Sequence, residues 1–208
     1  MLKTLIYMHR PLILVTNDDG ITAPGVRNLV DFMNEIGEVV VVAPNSPQSG
    51  KGHAITINST LTFEEINLEG PQKDYSLSGT PVDCVKFALD KILTRKPDIV
   101  VSGINHGANS SINVIYSGTM SAAVEAGVEG LQAIGFSLLD FSWDADFTQA
   151  KSHIQAIVKK VLENPMPKGV VLNVNIPKLA KDQIKGIRVC KQADAKWEES
   201  FDQRVNPH

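Results

Sequence analysis

Apolar residues in this chain gather into short unbroken runs, separated by stretches with helical spacing. Leu12–Thr16, Val39–Ala43, Asp98–Ser102, Ile134–Leu139 and Val170–Ile176 carry such runs. Continuous rather than alternating apolar character fits strands covered on both faces. Between the first two, Pro24–Ile36 places Val26, Leu29, Val30, Met33 and Ile36 at helical spacing, and Gly37 reads as a C′ stop. Thr80-Pro81-Val82-Asp83 opens another helix, with Thr80 as N-cap, Pro81 at N1 and Asp83 near the positive end of the dipole. Val82, Val85, Leu89 and Ile92 line it. Further helices are predicted over Met120–Val128 and Phe147–Leu162, and a long Gly/Asn/Ser-rich loop precedes Gly118. Ala54–Phe63 alternates weakly and reads as an edge or hairpin strand that interrupts the rhythm. Strands alternating with helices predict an α/β fold, a mostly parallel sheet wrapped on both faces.

Composition narrows the class. At 208 residues, 43% hydrophobic and 21% charged, the chain suits one large domain, or a domain with an appended arm, around a sizeable core. A formal charge of -3 offers no general field for long nucleic acid, so any anion site must be local. Cys84 and Cys190, in no CxxC arrangement, suggest neither a disulfide framework nor a thiolate zinc site, and a reducing cytoplasm fits best. Leu2–Met8 behind Lys3 imitates a signal-peptide core, but His9-Arg10-Pro11 breaks it and no small-residue cleavage site follows. No stretch approaches a membrane span, and no internal repeat or low-complexity tract is present. From about Ile187 the chain turns polar through Lys191, Asp194, Lys196, Glu198, Glu199, Asp202 and Arg204. That arm is either solvated or awaiting a partner subunit.

The candidate chemistry lies where apolar runs stop. The first strand ends in Asn17-Asp18-Asp19-Gly20. Ligands of open parallel sheets bind beyond the carboxyl ends of the strands. Two carboxylates ~4 Å apart there repel by roughly 4 kcal/mol at an effective dielectric near 20, and a divalent cation would reverse the sign. The same residues also suit a plain strand-to-helix turn. The second strand runs into Asn45–His53, where Ser46, Ser49, Gly50, Lys51 and Gly52 make a polar loop suited to an anion, without P-loop spacing. The third ends in Ser102–Asn109, with Asn105, His106 and Asn109. Right-handed crossovers bring these three strand ends to one edge. Carboxylate, hydroxyl and amide oxygens suit Mg²⁺ or Mn²⁺. His53 and His106 are either ligands for a softer metal or loop histidines bonded to backbone. Ser117-Gly118-Thr119 ahead of a helix is either a phosphate cradle or an ordinary N-cap.

Taken together, Ile13–Gly20, Val42–Thr56, Ser78–Cys84 and Asp98–Glu125 resemble the SurE (survival protein E) family of metal-dependent nucleoside monophosphate phosphatases, over most of residues 12–178. The resemblance implies a Rossmann-like three-layer α/β sandwich and release of phosphate from nucleoside 5′- or 3′-monophosphates by water activated at one divalent cation, Mg²⁺ or Mn²⁺. Some members also trim short polyphosphate. It assigns the metal to Asp18, Asp19, Ser49 and Asn105, and the phosphate to Ser49, Gly50, Asn109, Ser117, Gly118 and Thr119. Asp18 and Asp19 are then catalytic, and His106 is the candidate proton donor to the leaving group. It also implies small nucleotide substrates and a homodimer or homotetramer built through an exchanged C-terminal arm, with no polymeric nucleic acid and no membrane. On this reading residues 1–186 form the phosphatase domain and 187–208 a polar arm shorter than the family's. About ten residues precede the first strand, where the family starts close to its initiator Met. The competing class is a non-catalytic nucleotide-binding or sensor module of flavodoxin-like architecture, which needs the cradle but not the carboxylate pair.

Overall fold

A computed structural model describes residues 10–142 and 144–205; Leu2–Met8 lies outside them. Seven strands form one sheet in the order β3-β4-β2-β1-β5-β6-β7. They are β1 Leu12–Thr16, β2 Glu38–Pro44, β3 Phe63–Ile66, β4 Lys73–Leu77, β5 Ile99–His106, β6 Ala133–Leu139 and β7 Leu172–Pro177. All neighbours pair in parallel except β3 with β4. The α-helices are α1 Pro24–Asn34, α2 Pro81–Phe87, α3 Asn113–Tyr116, α4 Gly118–Val128 and α5 Lys151–Glu163.

Both faces of the sheet are covered, which is why the central strands read as unbroken apolar runs. Ile13 and Val15 of β1 pack with α1 and α5 residues such as Leu29, Met33, Ile154 and Val158. Leu12 and Leu14 point the other way, into a second cluster with Cys84, Val85, Ala122 and Ala126. α4 is built largely of small residues and is buried nearly all round, and Met120 lies so close to β6 that a Cβ at Gly135 would meet its sulfur at 2.4 Å.

Several boundaries differ from the sequence reading. Residues 54–62 carry no strand, and the edge strand of this region, β3, begins only at Phe63. Ala54 and Thr56 are held instead by side chains: the Thr80 hydroxyl donates to the Ala54 carbonyl at 2.7 Å and Asp83 accepts from the Thr56 N–H at 3.0 Å. The antiparallel pair is β3 with β4. β4 escaped notice because its buried Asp74 reads as a surface charge, whereas it pairs with Arg27 at 2.6 Å. Gly37 does not stop α1 through a left-handed conformation. A Cβ there would meet the Pro11 carbonyl oxygen at 2.3 Å, so close approach explains the glycine. The predicted 147–162 helix begins as a 3₁₀ turn, Thr148–Ala150, before α5. α2 ends in a π turn over Ala88–Ile92. Its start is as predicted: Thr80 Oγ1 accepts from the Asp83 N–H at 3.1 Å, and the Asp83 carboxylate accepts from the Thr80 N–H at 2.9 Å, a reciprocal capping box. No helix among the described residues is long and apolar enough to cross a membrane.

Candidate metal and phosphate site

Parallel pairing of β2, β1 and β5 puts their carboxyl ends side by side. At the end of β1 the turn reading of Asn17–Gly20 holds for Asn17 and Gly20. Asn17 Nδ2 donates to the Gly20 carbonyl at 2.9 Å, closing the turn, and Gly20 holds a positive φ of 102° that favours glycine. Asp18 and Asp19 are left to face the site. The loop after β2 is drawn in when the Gln48 N–H donates to the Asp18 carbonyl at 2.7 Å, bringing Ser49 and Gly50 to the same edge. β5 runs further than its apolar core suggested, to His106, with its register against β6 shifting between Ser102 and Asn105. That extension delivers Asn105 and His106.

Asp18 is 3% exposed. Burial, then the neighbouring Asp19 charge, raise its pKa from 3.8 to about 6, opposed by hydrogen bonds from the Thr119 hydroxyl and the Gly118 N–H. Burial also raises Asp19. Among the described residues no lysine or arginine forms an ion pair with either carboxylate. Two desolvated, adjacent acids without a cation of their own are an unfavourable arrangement that a divalent ion relieves. The surrounding donors are of the right kind. Asn105 Nδ2 donates to the His106 and Gly107 carbonyls, both at 2.9 Å. Its amide oxygen therefore turns toward Thr119, 3.4 Å away. Among the described residues no three His, Cys, Asp or Glu side chains gather as a metal cluster, so the donor set is two carboxylates with hydroxyl and amide oxygens. That set fits a hard cation.

A cavity of about 530 Å³ opens over these groups, lined by Asp18, Asp19, Ser49, Gly50, Asn105, His106, Asn109 and Ser117. Gly118 and Thr119 lie beneath it rather than on its wall. The Thr119 hydroxyl donates to Asp18 Oδ1 at 2.5 Å, and a Cβ on Gly118 would stand 2.5 Å from the Asp18 Cβ. Ser117 Oγ accepts from the Met120 N–H at 3.0 Å, the N-cap arrangement, while the residue also borders the cavity. Asn109 is fixed from β6 and β7: its Nδ2 donates to Ser137 Oγ at 3.0 Å, its N–H to Asn175 at 2.9 Å, and its carbonyl accepts from Asn173 at 2.7 Å. The His106 ring packs edge-on against buried Phe147, 4.9 Å between centroids.

His53 is not at the cavity. Its Nε2 lies 2.8 Å from Glu125, which also accepts from Lys86 at 3.0 Å. Sequence reasoning missed Glu125, although an acid set among the alanines of a buried helix was the available signal. Tyr116, Trp197 and Glu199 also line the cavity and were likewise missed. A larger cavity of about 640 Å³ lies beside α2 over Leu61, Phe87 and Leu131, where Asp83, Asp90 and Glu129 share the lining with Lys86, Arg95 and Lys96.

A family model described as Survival protein SurE matches residues 13–199. The chain is 66% identical over 200 residues to "5′-nucleotidase SurE" of Christiangramia forsetii, covering 95% of this chain and 77% of that one. It is 63% identical over 201 residues to the protein of the same name in Flavobacterium psychrophilum, covering 96% and 78%. The crystal structure of the SurE protein from Aquifex aeolicus superposes with a TM-score of 0.84 at 38% identity, covering 95% of this chain and 78% of that one.

Proposed function

The chain belongs to the SurE family, and from that premise we propose that it is a metal-dependent 5′-nucleotidase whose reaction takes place at the Asp18–Asp19 edge. The observation that carries this reading is the pair of adjacent, cation-free carboxylates, Asp18 buried and Asp19 half-buried, at the mouth of a cavity lined by amides and hydroxyls. A non-catalytic sensor gives no reason to hold two repelling acids side by side with their hydration reduced, and relatives at this identity bear an enzyme's name.

Asp18, Asp19, Ser49 and Asn105 hold one Mg²⁺ or Mn²⁺. That cation supplies Lewis-acid polarisation of the phosphoryl group and lowers the pKa of a water. Thr119 keeps Asp18 in one rotamer, and the locked Asn105 amide keeps its oxygen on the site. Asn109, Ser117, Ser49 and the Gly50 backbone bind the phosphoryl oxygens. Such fixed donors stabilise charge that grows on those oxygens in the transition state. His106, immobilised against Phe147, returns a proton to the leaving sugar oxygen. Substrates are small nucleotides, with 5′- and 3′-monophosphates both accommodated. The protein works in the cytoplasm as a homodimer or homotetramer.

Phosphate release from AMP tests the reading. EDTA followed by dialysis should abolish it and Mg²⁺ or Mn²⁺ restore it. Asp19→Asn should lower kcat by on the order of 10²-fold or more with the fold retained. Undiminished turnover in EDTA would overturn the metal mechanism.

A further inference from the structure

The polar arm does not run free of the domain. From Ile184 to Val205 it has no regular structure, and the Ser111 hydroxyl donates to the Ala193 carbonyl at 3.2 Å, tethering it near the loop after β5. Alternate residues of an extended chain share a side, and Trp197 and Glu199 both line the cavity above Asp18 and Asp19. Trp197 is 57% exposed, and Tyr116 on the same cavity 51%. Neither ring joins an aromatic pair among the described residues. Two large flat faces are therefore presented to the space beside a phosphate site.

We propose that Trp197 is the stacking platform for the nucleobase, and so the residue that makes this site prefer nucleotides to simple sugar phosphates. The inference deepens the nucleotidase reading and rests on it. A cavity of about 530 Å³ is within the range that encloses a small ligand, so a phosphoryl group at the carboxylates leaves room for a base toward the rim. Stacking on an indole is tolerant of base identity, because every base has a π face. Trp197 therefore selects for the presence of a base and little between bases.

Two measurements test this on the full chain. The first compares KM for AMP and ribose 5-phosphate with Mn²⁺, in the parent, Trp197→Ala and Trp197→Phe. Trp197→Ala should raise KM for AMP by about tenfold or more, leave kcat and the KM for ribose 5-phosphate near parental values, and be largely rescued by Phe. Equal effects on both substrates, or none on AMP, would overturn the proposal. So would a change in sedimentation with Trp197→Ala that accompanies equal losses, since the ring would then serve contact with a second copy. The second measurement reads binding without turnover. The chain has two tryptophans, Trp143 and Trp197, so in a Trp143→Phe background the emission comes from Trp197. Adenosine should quench it saturably, and ribose 5-phosphate should not. Quenching by adenosine without phosphate release from AMP would reject the nucleotidase reading and keep the base site; turnover of AMP without quenching would do the reverse.

Discussion

Asp18→Asn should stabilise the metal-free protein while abolishing its response to metal. An aspartate whose folded pKa stands above its unfolded value holds its proton more tightly in the native state. Stability is then greatest with the group protonated, and declines as pH rises from about 4 through about 6. A rise from 3.8 to about 6 corresponds to about 3 kcal/mol of penalty above that range, at 1.36 kcal/mol per pH unit. Asparagine removes the charge and keeps an acceptor for the Thr119 hydroxyl. It gives up one carboxylate oxygen as an acceptor, which offsets about 1 kcal/mol. The net gain is about 2 kcal/mol, or an increase in Tm of roughly 4–8 °C for a chain of this size. Melting in EDTA at pH 8 measures it. At pH 5 the parent recovers about half of its penalty by protonating Asp18, roughly 1.4 kcal/mol, so the gap between the proteins should narrow by about two thirds. Adding Mn²⁺ at pH 8 should raise the parent's Tm through linkage and leave the variant unmoved. An Asp18→Asn protein that melts at or below the parent in EDTA at pH 8 would refute the argument. So would a gap that does not change with pH.

Thr80→Ala removes the acceptor for the Asp83 N–H and the donor to Ala54. It should cost about 1–2 kcal/mol, seen as a lower Tm, with kcat at 20 °C within about twofold of the parent; unchanged melting with crippled turnover would move this segment into the active site. Gly118→Ala would drive a methyl group against the Asp18 Cβ, 2.5 Å away. Calorimetric titration with Mn²⁺ should show affinity reduced by about tenfold or more, as expected when a ligand's supporting shell is disturbed, and parental affinity would show that the two residues can move apart.

The parts of this molecule legible from sequence are those where one physical requirement dominates. Leu12–Val15 and Val39–Ala43 had to be apolar on both faces, and Thr80-Pro81-Val82-Asp83 satisfies three preferences of a helix start together. The parts that escaped are those where a long-range partner changes a residue's meaning. Asp74 looks solvated until Arg27, from α1, neutralises it. Glu125 looks anomalous in α4 until His53 and Lys86 arrive from other elements. In the candidate site, strand order brings the loops that carry Asp18, Asp19, Ser49 and Asn105 to one edge, and the family resemblance picks those four residues out of the loops. The position of Thr119 beneath Asp18 could not, since the hydroxyl of an N-terminal helix residue reads equally as a ligand for phosphate. Trp197 was hidden by its neighbours, for composition averages a segment and one indole does not change the average.

The bond between Asp18 and Thr119 joins residues 101 positions apart, and β1 meets β5 across a comparable length of chain. Closing loops of that size is entropically slower than winding α1 or α4, and folding rates fall as such non-local pairings come to dominate. During refolding, helical ellipticity should therefore return before the carboxylates and Asn105 are in register. A chain released from denaturant gains its capacity to take up metal as one of its last acquisitions, and until then its acids are as well hydrated as any on a surface.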